Sequence, residues 1–281
     1  MLKLVLIAVV LALAACTAPQ TEAVDHGTTT ADHETATVDE DQFLDGMEFF
    51  ELYRSPSEML QLQPPLPGEE LIVLHTTLGD ITLRFFPDEA PMAVENFLTH
   101  ARNGYYDGVI FHRVVPGFMI QGGDPTGTGM GGESIWGESF GFEFSPGLRH
   151  FRGALAMAHA GGAMGSQFYI VQADDVGAMF SQHFRELIEM KDDVLGWFMD
   201  GSNVTYGHIH PVDGLEHFIE HGGTPSLDWF WNDFPGGPHT VFGHVVDGMD
   251  VVDAIAIVPR NENDRPNVDV IIERISFVIY G

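Results

Sequence analysis

From about residue 70 onward the apolar runs are short, rich in β-formers and numerous, and this most constrains the fold. LIVLHTT, the turn LGD and ITLRFF, residues 71–86, read as a hairpin with Gly79 supplying the turn. Further strands are expected at 108–115, 118–122, 153–158, 167–172, 240–246 and 268–279. Helical spacing occurs in two short stretches. Pro91 at a first helical position, then Ala93, Val94, Phe97, Leu98 and Ala101, with Gly104 past the end, predicts an amphipathic helix that packs on a sheet; a second is expected near 249–256. Many strands and few helices mean a β-sandwich or a barrel.

Within that pattern, residues 111–124 read FHRVVPGFMIQGGD. A single guanidinium, Arg113, stands among apolar β-formers, followed by Phe118, Met119 and Gln121. Arginine is always charged and carries five donors in a rigid fork. In so apolar a run it must find an acidic partner or face a ligand.

The same segment resembles the signature of the cyclophilin family of peptidyl-prolyl cis/trans isomerases. Two more family-like blocks follow in the family's order, GALAMAHAGGAMGSQFYIV at 153–171 and HTVFGHVVDGMDVVDA at 239–254. The resemblance spans roughly residues 70–280. It implies a mainly β fold, a closed eight-stranded antiparallel barrel capped by two helices, with a partly helical insertion. It also implies that Arg113 is the catalytic arginine, that Gln121 orients it and touches substrate, and that His239 belongs to the pocket wall. Phe118, Met119 and Tyr169 would form the proline pocket, with Tyr169 standing where the family usually has Phe. Ala158 and His159 would pair with the peptide backbone, and Gln167 would supply a second amide at the rim.

The main departure from the family lies at about 174–238, a stretch much longer than the family's usual crossing. HFRELIEMKDDVLGWFM predicts one helix there, and DGLEHFIEHGGTP a second ended by Gly222-Gly223. Leu227-Asp228 resembles the family's usual Leu-Asp, which assigns Leu227 to substrate binding and puts Ser226 where tryptophan often stands. Trp229 or Trp231 could replace that ring. His208 with His210, and His217 with His221, have spacings that zinc could use, but partner ligands are not specifically placed, so no metal is expected. The insertion is expected to form a lid or substrate-selecting lobe.

Ahead of the barrel, Lys3 and LVLIAVVLALAA look like a signal peptide over residues 1–15, too short for a spanning helix. Leu13-Ala14-Ala15-Cys16 resembles a bacterial lipobox, which gives the chain's one cysteine a role as the lipidated N-terminus. Residues 16–41 are too polar to offset ordering entropy and read as a disordered acidic tether; 42–69 read as a short extension packed on the 70–281 domain. The chain is then expected at a bacterial cell envelope, held to the membrane by lipid and facing outside the cytoplasm. A net charge of −29, with Lys3 and Lys191 the only lysines, repels phosphate backbones and excludes nucleic acid as a partner. Such self-repulsion is relieved by salt, which raises a saline medium as a hypothesis; a melting temperature unchanged from low to molar salt would remove the reason for it.

Prolyl isomerisation fits a chain without a nucleophile–base motif. Rotation about X–Pro must cross about 18–20 kcal/mol and takes roughly 10–100 s unaided, yet no bond is made or broken. A dry seat for the ring, backbone anchors and one donor that strengthens on the twisted amide are enough. No cofactor is needed, the partners are proline-containing polypeptides, and the protein is expected to be a monomer. The alternative is a catalytically idle module that docks Pro-containing segments or an envelope partner.

Overall fold

In the computed structural model, residues 59–145, 147–160, 163–190, 212–228 and 239–281 are described. The expected signal peptide, Cys16, the tether and residues 42–58 of the extension lie outside them, as do His208, His210, Trp229 and Trp231. Eight antiparallel strands form one curled sheet: β1 (Glu70–Thr76), β2 (Gly79–Phe85), β3 (Arg113–Val115), β4 (Met119–Gly122), β5 (Ala154–Ala160), β6 (Ala163–Val171), β7 (Val241–Asp247) and β8 (Ile272–Ile279). Their spatial order is β3-β4-β6-β5-β7-β2-β1-β8. The expected barrel is not closed, because β3 and β8 remain the two edges. β3 has only three residues, and the run-in 108–112, expected as strand, joins the far edge through single links instead. These are an Ile110–Ile271 bridge and bonds from the Phe111 amide to the Val270 carbonyl (2.9 Å) and from the Ile272 amide to the Val109 carbonyl (2.8 Å).

The first hairpin turns because Gly79 takes φ +135°, and the Thr76 hydroxyl donates to its carbonyl at 2.7 Å. A Cβ at Gly79 would meet a Val251 methyl at 2.8 Å, so the glycine also admits helix α4 (Met249–Ala256). Helix α1 (Pro91–Arg102) has Pro at its start but no side-chain cap from Ala90. Glu143, remote in sequence, takes that place and accepts from the amides of Met92 (2.9 Å) and Ala93 (2.8 Å). Fully buried Asn96 ties α1 down by donating to the Gly165 carbonyl and accepting from the Ile135 amide, both at 2.9 Å.

Strand alternation sorts side chains into two apolar layers. Inside the curl lie Ile72, Leu83, Ile120, Leu155, Met157, Phe168, Ile170 and Phe242, with Phe97 of α1 among them. Phe97 meets Tyr106 at 4.9 Å and Phe168 edge-on at 5.2 Å, geometries that add about 0.5–1.5 kcal/mol per pair beyond burial. On the opposite face the alternate residues, Met119, Ala154, Ala156, Tyr169, Val171 and Val241, make a second layer. Helices α2 (Gly177–Met190) and α3 (Val212–His221) of the insertion bury Phe184, Leu215 and Phe218 with Met59 and Phe151 in a third, separate cluster. α2 starts six residues before the predicted helix at 183, and its predicted continuation to 199 lies outside the described residues.

Candidate active site

The outer layer of the sheet carries the candidate residues, and strand register explains why. Arg113 pairs with Gln121, Gln121 with Tyr169, Tyr169 with Ala156, and Ala156 with Val241. Directly opposed residues point to one face. One row across five strands therefore presents a cation, an amide, a phenol and two small apolar groups. The next row sets Val115, Met119 and Val171 side by side.

Between β3 and β4 the chain reverses through Val115-Pro116-Gly117-Phe118. The Phe118 amide donates to the Val115 carbonyl at 3.0 Å and Gly117 takes φ +73°, the pattern of a type II turn. Phe118 is further pinned by its carbonyl, which accepts from Gln172 (2.9 Å) and Ala173 (3.2 Å). Its ring lies 6.0 Å from the Arg113 guanidinium, within cation–π range. Arg113 is half-buried and has no ion pair or hydrogen bond among the described residues. Phe118, Met119, Ala158, Tyr169 and Leu227, drawn from four separate parts of the sequence, meet in the outer cluster, with Met119 and Tyr169 almost wholly buried. Ser226 is exposed.

Gln121 donates to the Gln167 side-chain carbonyl at 3.0 Å, and Gln167 in turn donates to the carbonyls of Gly129 (3.1 Å) and Gly131 (2.7 Å). That glycine loop is gathered around Asp124, whose buried carboxylate accepts from the amides of Thr126, Thr128, Gly129 and Gly131. Burial alone would raise the Asp124 pKa, but the Thr126 hydroxyl and the loop amides outweigh it and hold the carboxyl well below its ordinary range.

His239 donates from Nδ1 to the Met157 carbonyl (3.2 Å) and packs at a tilt against His159, centroids 4.1 Å apart. Burial first, then the neighbouring His150 and His159, push its pKa down to about 3, so it is neutral at pH 7. A shallow dent opens beside it, lined by Glu143, Phe144, Leu148, Asp228 and Val241 among others. Phe118 and Arg113, both half-buried, are not among its lining.

Two groups here had no assigned role in the sequence reading. His150 and Asp228, 1 % and 4 % exposed, form a chain with Tyr169: the Tyr169 hydroxyl lies 2.9 Å from His150 Nε2, and His150 Nδ1 lies 2.5 Å from Asp228 Oδ1. Burial, then the Asp228 charge, raises the Tyr169 pKa well above 10, so the phenol keeps its proton and donates to His150. The order matches a hydrogen-bonded catalytic trio, but its polar atoms, the Tyr169 hydroxyl included, are buried together, so it is not placed to react with a substrate. No sequence spacing links residues 78 positions apart; Asp124, by contrast, closes the 111–124 stretch and was in plain view. Zinc finds no support in any group of three ligands among the described residues.

Comparison with known proteins follows the same segments. Residues 71–277 match the family model described as "Cyclophilin type peptidyl-prolyl cis-trans isomerase/CLD". A protein of Staphylococcus epidermidis assigned as a peptidyl-prolyl cis-trans isomerase is 44% identical over 217 residues, which is 76% of this chain and 95% of that one. A Staphylococcus aureus protein assigned likewise is 44% identical over 209 residues, covering 74% and 91%. The crystal structure of a Cryptosporidium parvum cyclophilin-type isomerase, determined with the dipeptide Ala-Pro, superposes with a TM-score of 0.51 at 28% identity, covering 75% of this chain and 99% of that one. Fold, outer-face residues and these likenesses agree: the chain belongs to the cyclophilin-type peptidyl-prolyl cis-trans isomerases.

Proposed function

We propose that the outer face of β3, β4, β5 and β6 turns X–Pro bonds of exported or envelope proteins, with Arg113 as the donor to the twisted amide. The observation that carries this reading is Arg113 itself, a half-buried guanidinium that no described acidic residue neutralises, in one row with Gln121 and Tyr169. Twisting the amide localises the lone pair on the prolyl nitrogen, and a cation already in position stabilises that state without reorganising. Phe118, Met119, Tyr169 and Leu227 seat the pyrrolidine ring; Ala158 and His159 offer backbone to the peptide; Gln121, held by Gln167, keeps the guanidinium aimed. Neutral His239 closes the wall without adding a second charge. A protease-coupled assay on a short Ala-Pro peptide tests this, with Arg113→Ala beside the unmodified protein; an unmodified protein no faster than buffer would support the docking alternative.

The envelope location rests on the leader-like residues 1–15 and on Cys16. Fatty-acid labelling in a bacterial host should mark the unmodified protein and not Cys16→Ala. Label retained by that variant would remove the anchor from the account.

A further inference from the structure

The buried chain Tyr169–His150–Asp228 joins the pocket to the insertion. Tyr169 sits in the row of Arg113 and Gln121, so its ring belongs to the candidate proline seat. Its hydroxyl points away from that role and toward His150, with the two rings nearly parallel at 6.1 Å between centroids. Asp228 receives both the His150 ring N–H (2.5 Å) and the His150 backbone amide (3.0 Å). A carboxylate on Nδ1 fixes the tautomer that leaves Nε2 as acceptor for the phenol.

Asp228 stands at the return of the insertion, just after the 3₁₀ turn Pro225–Leu227. The return is stitched to the segment that carries His150, just ahead of β5. The Thr224 amide donates to the His150 carbonyl at 2.8 Å, and Phe151 bridges to Gly223. Such close approach requires glycine. Gly223 has φ +137°, and a Cβ there would lie 2.5 Å from the His150 carbonyl oxygen. The segment holding Asp228 is therefore bound to the sheet by backbone geometry as well as by its carboxylate.

Resting on the isomerase reading above, we propose that Asp228, acting through His150, positions the Tyr169 ring in the proline pocket, so that the return of the insertion is part of the substrate site. Asp228 and His150 are positioning residues, since neither touches substrate. Leu227, next to Asp228, shares the outer cluster with Tyr169, so the ring and this part of the pocket wall are held by one turn. A ring freed from its hydroxyl anchor can tilt, and a displacement of about 1 Å at a preorganised site can cost up to about 100-fold in rate.

The test uses the full chain and an Ala-Pro peptide followed by NMR, which reads peptide affinity, cis/trans exchange rate and, through ¹⁵N shifts, the His150 tautomer. In the unmodified protein His150 should be the Nδ1–H form. Asp228→Ala should mix the tautomers and weaken kcat/KM at least about 10-fold, with Asp228→Asn, which keeps one acceptor, falling between. Tyr169→Phe leaves the Asp228–His150 pair intact and guards against a misfolded Asp228 variant. It should lower kcat/KM, and combining it with Asp228→Ala should add little further loss, because both break one connection. Fully additive losses, or Asp228→Ala with mixed tautomers but unchanged affinity and exchange, would overturn the proposal. If the unmodified protein binds peptide without speeding exchange, the isomerase reading fails alone, and peptide affinity of the same variants still decides the positioning role.

Discussion

Replacing Asp124 by alanine removes the centre around which the 125–131 loop is folded. The carboxylate is fully buried and accepts four backbone amides at 2.7–3.2 Å together with the hydroxyls of Thr126 and Thr128. A hydrogen bond to a charged acceptor contributes about 1.5–3 kcal/mol, while amides that regain water lose only part of it. Thr126 and Thr128 are exposed and can regain water. Gly129 and Gly131 are half-buried and recover less, so the net loss should be about 3 kcal/mol, a large share of the roughly 5–15 kcal/mol that holds a domain. The same loop supplies both carbonyls that hold Gln167, so kcat/KM should fall several-fold in protein that remains folded. Urea unfolding gives the stability and the peptide assay the rate; Asp124→Asn, which keeps one acceptor, should lose about half as much. A loss below about 1 kcal/mol with unchanged activity would mean that the glycines shape the loop unaided, refuting the reasoning.

Stability should also depend on pH through two half-buried histidines. His239 and His244 both have pKa values pushed down to about 3, chiefly by burial, whereas the unfolded chain binds their protons near 6.5. Their contribution is complete above pH 6.5 and declines as the pH falls from there toward 3; a urea midpoint flat from pH 7 to 5 would contradict this. Gly223→Ala should destabilise the insertion by more than about 1 kcal/mol, since it combines strain at positive φ with a backbone collision. Limited proteolysis should then cut the insertion before the sheet, and an unchanged cleavage pattern would count against the close approach.

Local chemistry made much of this fold legible. Gly79 and the run around it predict a hairpin at 71–86, and the structure has one at 70–85; Pro91 and Gly104 bracket a helix found at Pro91–Arg102. Where the outcome rests on partners far away, the sequence is silent. The stretch 108–112 is as apolar as a strand, yet it lacks a continuous partner and the curl stays open there. At 163–166 the opposite occurs: Gly165 and Ser166 argue against a strand, but β6 runs through them. A Cβ at Gly165 would collide with the Gly132 carbonyl, so its bareness serves close packing. Arg113, Phe118, Met119 and Gln121 stand out because they share one short segment. His150 and Asp228 could not, since only folding brings them together.

The most direct measurement is the isomerisation rate of an Ala-Pro peptide with Arg113→Ala against the unmodified chain. The account predicts clear acceleration by the unmodified protein and a kcat/KM lower by about 10²–10³ in the variant, the loss expected for one preorganised donor, with the melting temperature little changed. A variant within about threefold of the unmodified rate would place the catalytic cation elsewhere and contradict the account.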